Sequence, residues 1–511
     1  MLFLLFFPGC QLKVQPQTRT DILLNEGWKT TVIDTNNNIY QGFENLSFND
    51  SSWQKVDVPH NWDQYEGYRR EKHGNRHGSA LYRKILSISK KEKNKQYFLW
   101  FEGVGSYATI WVNGRLAGCH AGGRTSFTID ITDLINVSGE KNILAVRADH
   151  PAGINDLPWV CGGCSEEWGF SEGSQPMGIF RPVHLIVTNK IRIEPFGVHI
   201  WNDTLCNNKP AKVRIKTEIK NYGNKDHRIK LISRLLHADS SFVSATDTIL
   251  WIQAGETLNL EQRPIIVQSP RLWSPDDPYL YVMVTDIIEK NRIIDRVFTY
   301  CGIRYISWPL SRGDSTGAFL LNGKPVFING TAEYEHNMGM SHAFTFEQIH
   351  ARAMQVKAAG FNAFRDAHQP HNLLYQEYWD RYGILWWPQF SAHIWFDNPG
   401  FRENFKILLT EWIKERRNSP SVILWGLSNE SALPEDFARE CTELIRKLDP
   451  TCSSQRLVTT CNGGSGTDWN VIQNWSGTYS GDPEKYDSEM KRDLLNGEYG
   501  AWRSIDLHTE E

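Results

Sequence analysis

The sequence predicts a multidomain chain in which two β-sandwiches, a jelly roll and then an immunoglobulin-like domain, precede a (β/α)8 TIM barrel. Three observations carry this. At 511 residues the chain is too long for one hydrophobic core. Up to residue 302 the sequence runs as short alternating or aromatic stretches broken by turn residues. From residue 303 the pattern changes to strand, helix, strand, with glycines closing the helices.

Residues 1–19 stand apart. Met1-Leu-Phe-Leu-Leu-Phe-Phe-Pro-Gly-Cys10 is a short apolar run ending in a glycine and a cysteine. It resembles the end of a bacterial lipoprotein signal, which predicts export and a lipid anchor through Cys10. The run falls well short of the roughly 20 apolar residues that span a bilayer.

Residues 20–188 read as the jelly roll, with strands at Tyr97-Phe-Leu-Trp-Phe101, Ala108-Thr-Ile-Trp-Val112, Ile143-Leu-Ala-Val-Arg147 and Val183-His-Leu-Ile-Val187. Asn113-Gly114 predicts a hairpin, because that pair accepts the positive φ angles of a tight turn. Residues 189–302, with runs at 212–219 and 279–284, have the size of an immunoglobulin-like sandwich. In residues 303–511 the expected barrel strands are 325–330, 361–365, 384–387, 422–427, 457–460, 471–473 and 493–497. Thr345-x-x-Gln348 predicts a capping box ahead of a helix that stops near Gly360, and a second helix runs from Asn372 to Tyr382. An eighth strand has no room before Glu511, so the barrel is expected to be incomplete.

Charged residues make up 22% of the chain and the formal net charge is −4. With no Lys/Arg run to neutralise a row of phosphates, nucleic acid is not an expected partner. Tryptophan is abundant, at 20 residues. Its faces suit the apolar faces of sugar rings, and simple burial in a core is the alternative. Of nine cysteines, only Cys161-Gly-Gly-Cys164 are close in sequence, and no second ligand pair lies near enough to suggest zinc. A disulfide there and free thiols both stay open, as does assembly into a homo-oligomer.

The expected chemistry sits at the C-terminal ends of the barrel strands, where a (β/α)8 fold keeps its reactive groups. The second strand leads to Arg365-Asp-Ala-His368, the fourth to Ser428-Asn429-Glu430, and the seventh to Glu498-Tyr499-Gly500. Two carboxylates facing each other across a sugar pocket are the usual equipment of a glycosidase. Either glutamate could instead occupy the first turn of the following helix, favoured by its dipole.

The chain resembles glycoside hydrolase family 2 from about residue 20 onward. The motifs are Val58-Pro-His-Asn-Trp62, Gly178-Ile-Phe-Arg-Pro-Val183, Trp273-Ser-Pro275, Cys301-Gly-Ile-Arg304, Asn418-Ser-Pro-Ser-Val-Ile-Leu-Trp425 and Trp425-Gly-Leu-Ser-Asn-Glu-Ser431. The resemblance implies a retaining exo-β-glycosidase acting on a carbohydrate, with Glu430 as acid/base and Glu498 as nucleophile. It further implies that Asn429 bonds the sugar 2-hydroxyl and that His368 and His393 bind substrate. Glu335 and His336 match a polar cluster after the first strand, Arg365 is expected to hold a carboxylate by a bidentate pair, and Trp475, Tyr479 and Trp502 are further substrate-binding candidates. Glu430 is expected to hold a proton at neutral pH, kept there by the charge on Glu498.

Two departures bear on the substrate. Galactosidases of the family place a magnesium-binding glutamate before the histidine after the third strand. Here that stretch is Phe390-Ser-Ala-His-Ile394, so the resemblance does not carry a metal or other cofactor over. Ser428-Asn-Glu-Ser431 is nearer to the galactosidase form of its motif than to Asn-Glu-Pro, which favours a β-galactoside, with a glucuronide or mannoside as alternatives and a purely sugar-binding role as the alternative of another class. The loop after Trp159 is expected to reach the barrel mouth with Glu166, Glu167 or Trp168.

Overall fold

A computed structural model of the chain describes residues 18–33, 38–62, 77–88, 92, 94–136, 141–159, 176–203, 210–312, 317–335, 342–473 and 495–498. Outside them lie Cys10, Cys161, Cys164, the Glu166–Trp168 loop, His336, Trp475, Tyr479 and Trp502.

From Thr20 to Asn189 the chain forms two antiparallel sheets, one of four strands and one of six. Alternation builds the space between them: in Tyr107–Val112 every second side chain, Ala108, Ile110 and Val112, is buried. Asn113 and Gly114 turn this strand into Arg115–Ala121 with φ of 53° and 78°, the left-handed pair that a two-residue hairpin needs. The second sandwich runs from Ile191 to Cys301 as two four-stranded sheets closed over Ile215, Leu231, Leu235 and Tyr281.

The third unit is built from parallel strands Gly330–Tyr334, Ala363–Ala367, Leu385–Trp387, Gln389–Ala392, Leu424–Asn429, Leu457–Cys461 and Trp469–Val471. Helices Phe346–Ala358, Leu374–Tyr382, Pro399–Arg416 and Glu435–Leu448 alternate with them. Thr345 and Gln348 form the expected reciprocal capping box, and Gly383 ends its helix with φ 68°.

Several strand expectations are corrected. Pro325 does not open the first barrel strand. Lys324–Pro325 pairs antiparallel with Leu320–Leu321, and the barrel strand begins at Gly330; a proline has no N–H for a ladder and is confined to such edges. The third strand ends at Trp387 as expected, but a further strand segment that was not expected follows Pro388. Leu385–Trp387 pairs with the second strand, whereas Gln389–Ala392 pairs with the fourth. The second and fourth strands also extend two residues further than expected, which places Arg365 within a strand and makes Asn429 the last strand residue. At the expected seventh strand, Leu495–Glu498 have no strand geometry, although Gly497 N–H donates to Ile472 O at 2.7 Å.

Several of the family-like motifs prove to be joints between units. Arg181 of Gly-Ile-Phe-Arg-Pro leaves the first sandwich and donates to Glu335 at 3.0 Å and to the Pro370 carbonyl at 2.7 Å. Arg304 of Cys-Gly-Ile-Arg donates to the carbonyls of Pro420 and Val422 and to Gln455. The Trp273 indole donates to Asp380 O at 2.8 Å. Asn418 accepts from Ile200 N–H and donates to Val198 O. Buried arginines fit these places because one guanidinium satisfies several carbonyls at once.

Candidate active site

Arg365 organises the site. Buried in the second barrel strand, it donates through Nη1 to Glu498 Oε1 at 2.5 Å and to Gly497 O at 3.0 Å. Through Nη2 it donates to Gln389 Oε1 at 2.8 Å and Asn429 Oδ1 at 2.7 Å. The expected bidentate pair is therefore corrected: the fork is split, one nitrogen on the Glu498 carboxylate and the other on two amides. Its face lies over Trp387, 4.6 Å from the ring centre. A guanidinium spent this way fixes the direction of three side chains rather than neutralising one.

Glu498 is partly buried and also faces His368, whose Nε2 is 3.5 Å from the same Oε1. The other nitrogen of that ring, Nδ1, is 2.8 Å from Gln389 Oε1. Asn429 accepts from Arg365 and, at 2.9 Å, from Gln473 Nε2. Its own Nδ2, fully buried, has no partner among the described residues, and neither has Gln389 Nε2. Unpaired buried donors are costly unless something fills them, and hydroxyl oxygens of a bound sugar would accept from both.

Glu430 follows directly on Asn429, with φ of 41°; His393, at the end of the neighbouring strand, has φ of 54°. Left-handed backbone at non-glycine residues costs energy and persists where the surroundings impose it. Here His393 N–H donates to Asn429 O, Ile394 N–H to Ser431 Oγ, and Ala432 N–H to Ile394 O, which laces the two strand ends together. The result puts His393 Nε2 3.0 Å from Glu430 Oε2. That hydrogen bond holds the Glu430 carboxyl below its ordinary range, with burial pushing the other way and the charges of His393, His368 and Arg365 assisting. The expectation that Glu430 is protonated in the free protein is corrected: His393 favours the ionised form, a term the sequence gives no means of weighing.

Glu335 is corrected as well. It is buried, with Oε2 accepting from Arg181 and Oε1 from Asn372 N–H at 2.6 Å. Both oxygens belong to the joint between sandwich and barrel, not to a sugar-facing surface. His336, Trp475, Tyr479 and Trp502 fall outside the described residues. Gln389, Gln473 and Trp395 were not singled out from sequence. Trp395 is 60% exposed and stacks on His393, ring centres 5.6 Å apart and planes 11° from parallel. Its place two residues after a candidate histidine was the one available signal.

The residues here do not fit the family's magnesium site. Ala392 precedes His393, the Ser391 hydroxyl donates to Leu427 O, and His393 Nε2 is engaged with Glu430. Among the described residues no cluster of three or more His, Cys, Asp or Glu has metal-binding geometry.

Family models named glycosyl hydrolases family 2, for its sugar binding domain, its second domain and its TIM barrel domain, match residues 23–189, 192–304 and 315–501. The chain belongs to glycoside hydrolase family 2. It is 29% identical to a β-glucuronidase of Bacteroides fragilis, over 99% of this chain and 71% of that one. It is 28% identical to a β-galactosidase of Bacteroides ovatus, over 82% of this chain and 47% of that one. The structure of a Bacteroides uniformis β-glucuronidase superposes with a TM-score of 0.82 over 94% of this chain and 59% of the other, at 24% identity, a likeness of fold. Curated relatives are longer, and the chain spans 40% of one and 71% of another.

Proposed function

We propose that the protein hydrolyses terminal β-linked sugars with retention of configuration, Glu498 acting as nucleophile and Glu430 as acid/base. The observation that carries this reading is the single network in which Arg365 holds Glu498 and Asn429 while His393 holds Glu430 beside them. Arg365 holds the Glu498 carboxylate by a hydrogen bond and aims it for attack on the anomeric carbon. Asn429 Nδ2, otherwise unpaired, donates to the 2-hydroxyl. As the glycosidic oxygen approaches, it displaces His393 from Glu430 Oε2. Glu430 takes up the proton of that hydrogen bond from His393 Nε2 and donates it to the glycosidic oxygen as the bond to the anomeric carbon breaks. After the glycosyl-enzyme forms, Glu430 accepts a proton from the incoming water.

Within this reaction, a β-galactoside is the first choice. Ser431 follows Glu430 where the glucuronidase motif has proline, and the described guanidiniums at this end of the barrel are already bound to carboxylates or amide oxygens. A β-glucuronide is the second reading, supported by the Bacteroides fragilis relative. A panel of nitrophenyl β-galactoside, β-glucuronide and β-mannoside tests both. Release from the galactoside alone supports the first choice, and release from the glucuronide alone replaces it. Release from none, with sugar binding retained, replaces catalysis by a binding role. Activity is also expected to survive dialysis against EDTA; collapse with recovery on added magnesium would refute the reading of the Phe390–Ile394 stretch.

A further inference from the structure

An acid/base residue stands beside the leaving group by definition, so whatever is fixed next to Glu430 on its outer side faces that group. Aromatic rings run in a row across the site. Tyr334 meets His368 edge-on at 5.5 Å, His368 meets His393 at 6.2 Å, and His393 stacks on Trp395 at 5.6 Å. The row passes from Glu498, which touches His368, to Glu430, which touches His393, and ends on Trp395. The two histidines at its middle are 5% and 6% exposed, whereas its ends, Tyr334 and Trp395, are 37% and 60% exposed. The position of Trp395 is set, because the bonds of His393 and Ile394 to Asn429, Ser431 and Ala432 tie its loop to the Glu430 loop.

We propose that Trp395 is the platform for the first sugar of the leaving group, which makes the natural substrate a β-linked oligosaccharide rather than a glycoside of a small alcohol. This deepens the glycosidase reading and rests on it. One indole face is covered by the His393 ring; the rest of the side chain is open to solvent next to the proton donor. A β-linked pyranose presents a face of axial C–H groups, and placing that face on an indole removes apolar surface of both from water. The stacking specifies a ring, not a particular hydroxyl pattern, so Trp395 selects for a sugar in the leaving group without dictating its identity.

Two measurements on the full chain test this. In Glu498→Gln protein, which cannot form the covalent intermediate, calorimetry compares galactose with β-1,4-galactobiose, or the glucuronic counterparts if the nitrophenyl panel selects that sugar. Adding Trp395→Ala should weaken disaccharide binding by about tenfold, the scale of one aromatic contact, and leave monosaccharide binding within about twofold, whereas Trp395→Phe should keep most of the disaccharide affinity. In otherwise unaltered protein, Trp395→Ala should lower kcat/KM for the disaccharide by a similar factor and spare the β-glycosyl fluoride, whose leaving group has no ring. Equal losses for both ligands, or none for either, would overturn the platform while leaving the glycosidase reading intact. Absence of fluoride hydrolysis and of monosaccharide binding in the unaltered chain would instead overturn the reading beneath it.

Discussion

Glu430 and Glu498 are held by different partners, and the difference suits the roles proposed for them. Glu498 is paired with a permanent cation, a state suited to a nucleophile, whereas Glu430 is paired with a histidine that a substrate can displace. Glu498→Ala is expected to abolish turnover of every substrate, with azide rescue giving the α-glycosyl azide by direct attack from the vacated face. Glu430→Ala is expected to lose about 100-fold to 10,000-fold with poor leaving groups, to spare glycosylation by an activated aryl glycoside, and to give the β-azide. Reversed anomers, read by NMR, would exchange the roles. The two glutamates stood out in the sequence because each sits in a motif of several residues, Trp425–Ser431 and Glu498-Tyr499-Gly500. Gln389 was not legible, since the expected third strand stops at Trp387, short of the segment that follows Pro388, and nothing in Gln389 itself signals that it receives both Arg365 and His368. Gln473 was no more legible, because an amide bonding Asn429 leaves no motif.

Among elements, local signals were read well wherever backbone geometry demands a residue type. Thr345 and Gln348 cap their helix as expected, and Thr345→Ala should cost about 1 kcal/mol in chemical denaturation. Gly383 does more than end a helix, for a Cβ there would lie 2.5 Å from the Pro275 carbonyl of the Trp-Ser-Pro motif, at a φ of 68° that disfavours any side chain. What sequence cannot show is the charge state of a buried strand residue. Asp366 is buried behind the site, accepting from the Trp386 indole at 2.8 Å, with no partner for its second oxygen among the described residues. Burial pushes its carboxyl up to about 7, against the Trp386 bond and the Arg416 charge. The unfolded group titrates near 3.9, so the folded chain binds the extra proton between about pH 4 and pH 7, and stability falls as pH rises through that window. Asp366→Asn should therefore match the parent near pH 4 and exceed it at pH 8, by on the order of 3 kcal/mol. Asp380, also raised to about 7, keeps part of the slope in the variant. A variant less stable than the parent at pH 8 would contradict this.

At the scale of the whole molecule, the motifs that make the family resemblance specific lie largely where units meet, so the same residues that identify the architecture also hold it together. Arg181 is the clearest case. It is 1% exposed, arises from the first sandwich, and ends on Glu335 and on Pro370 O, two residues beyond His368. Trp159, from the same sandwich, donates to Phe390 O and accepts from Gln369, the residue next to His368. The sandwich thus supports the backbone that carries one of the two site histidines, and its loss should reach the chemistry. Arg181→Ala leaves the Glu335 carboxylate buried with its Asn372 N–H bond and the more distant Arg124, 3.9 Å away, and stranding one partner of a buried pair costs about 3 to 5 kcal/mol. Because both charges are then gone, Arg181→Met with Glu335→Gln should recover much of that stability; a double-mutant cycle with a coupling near zero would show the pair to be incidental. Calorimetry is expected to resolve the sandwich from the barrel in Arg181→Ala as separate transitions where the parent unfolds in a more cooperative one. If the joint positions His368, kcat/KM should fall in Arg181→Ala even at temperatures where both units remain folded, and the double variant should restore stability more fully than activity, since Pro370 O still lacks its donor.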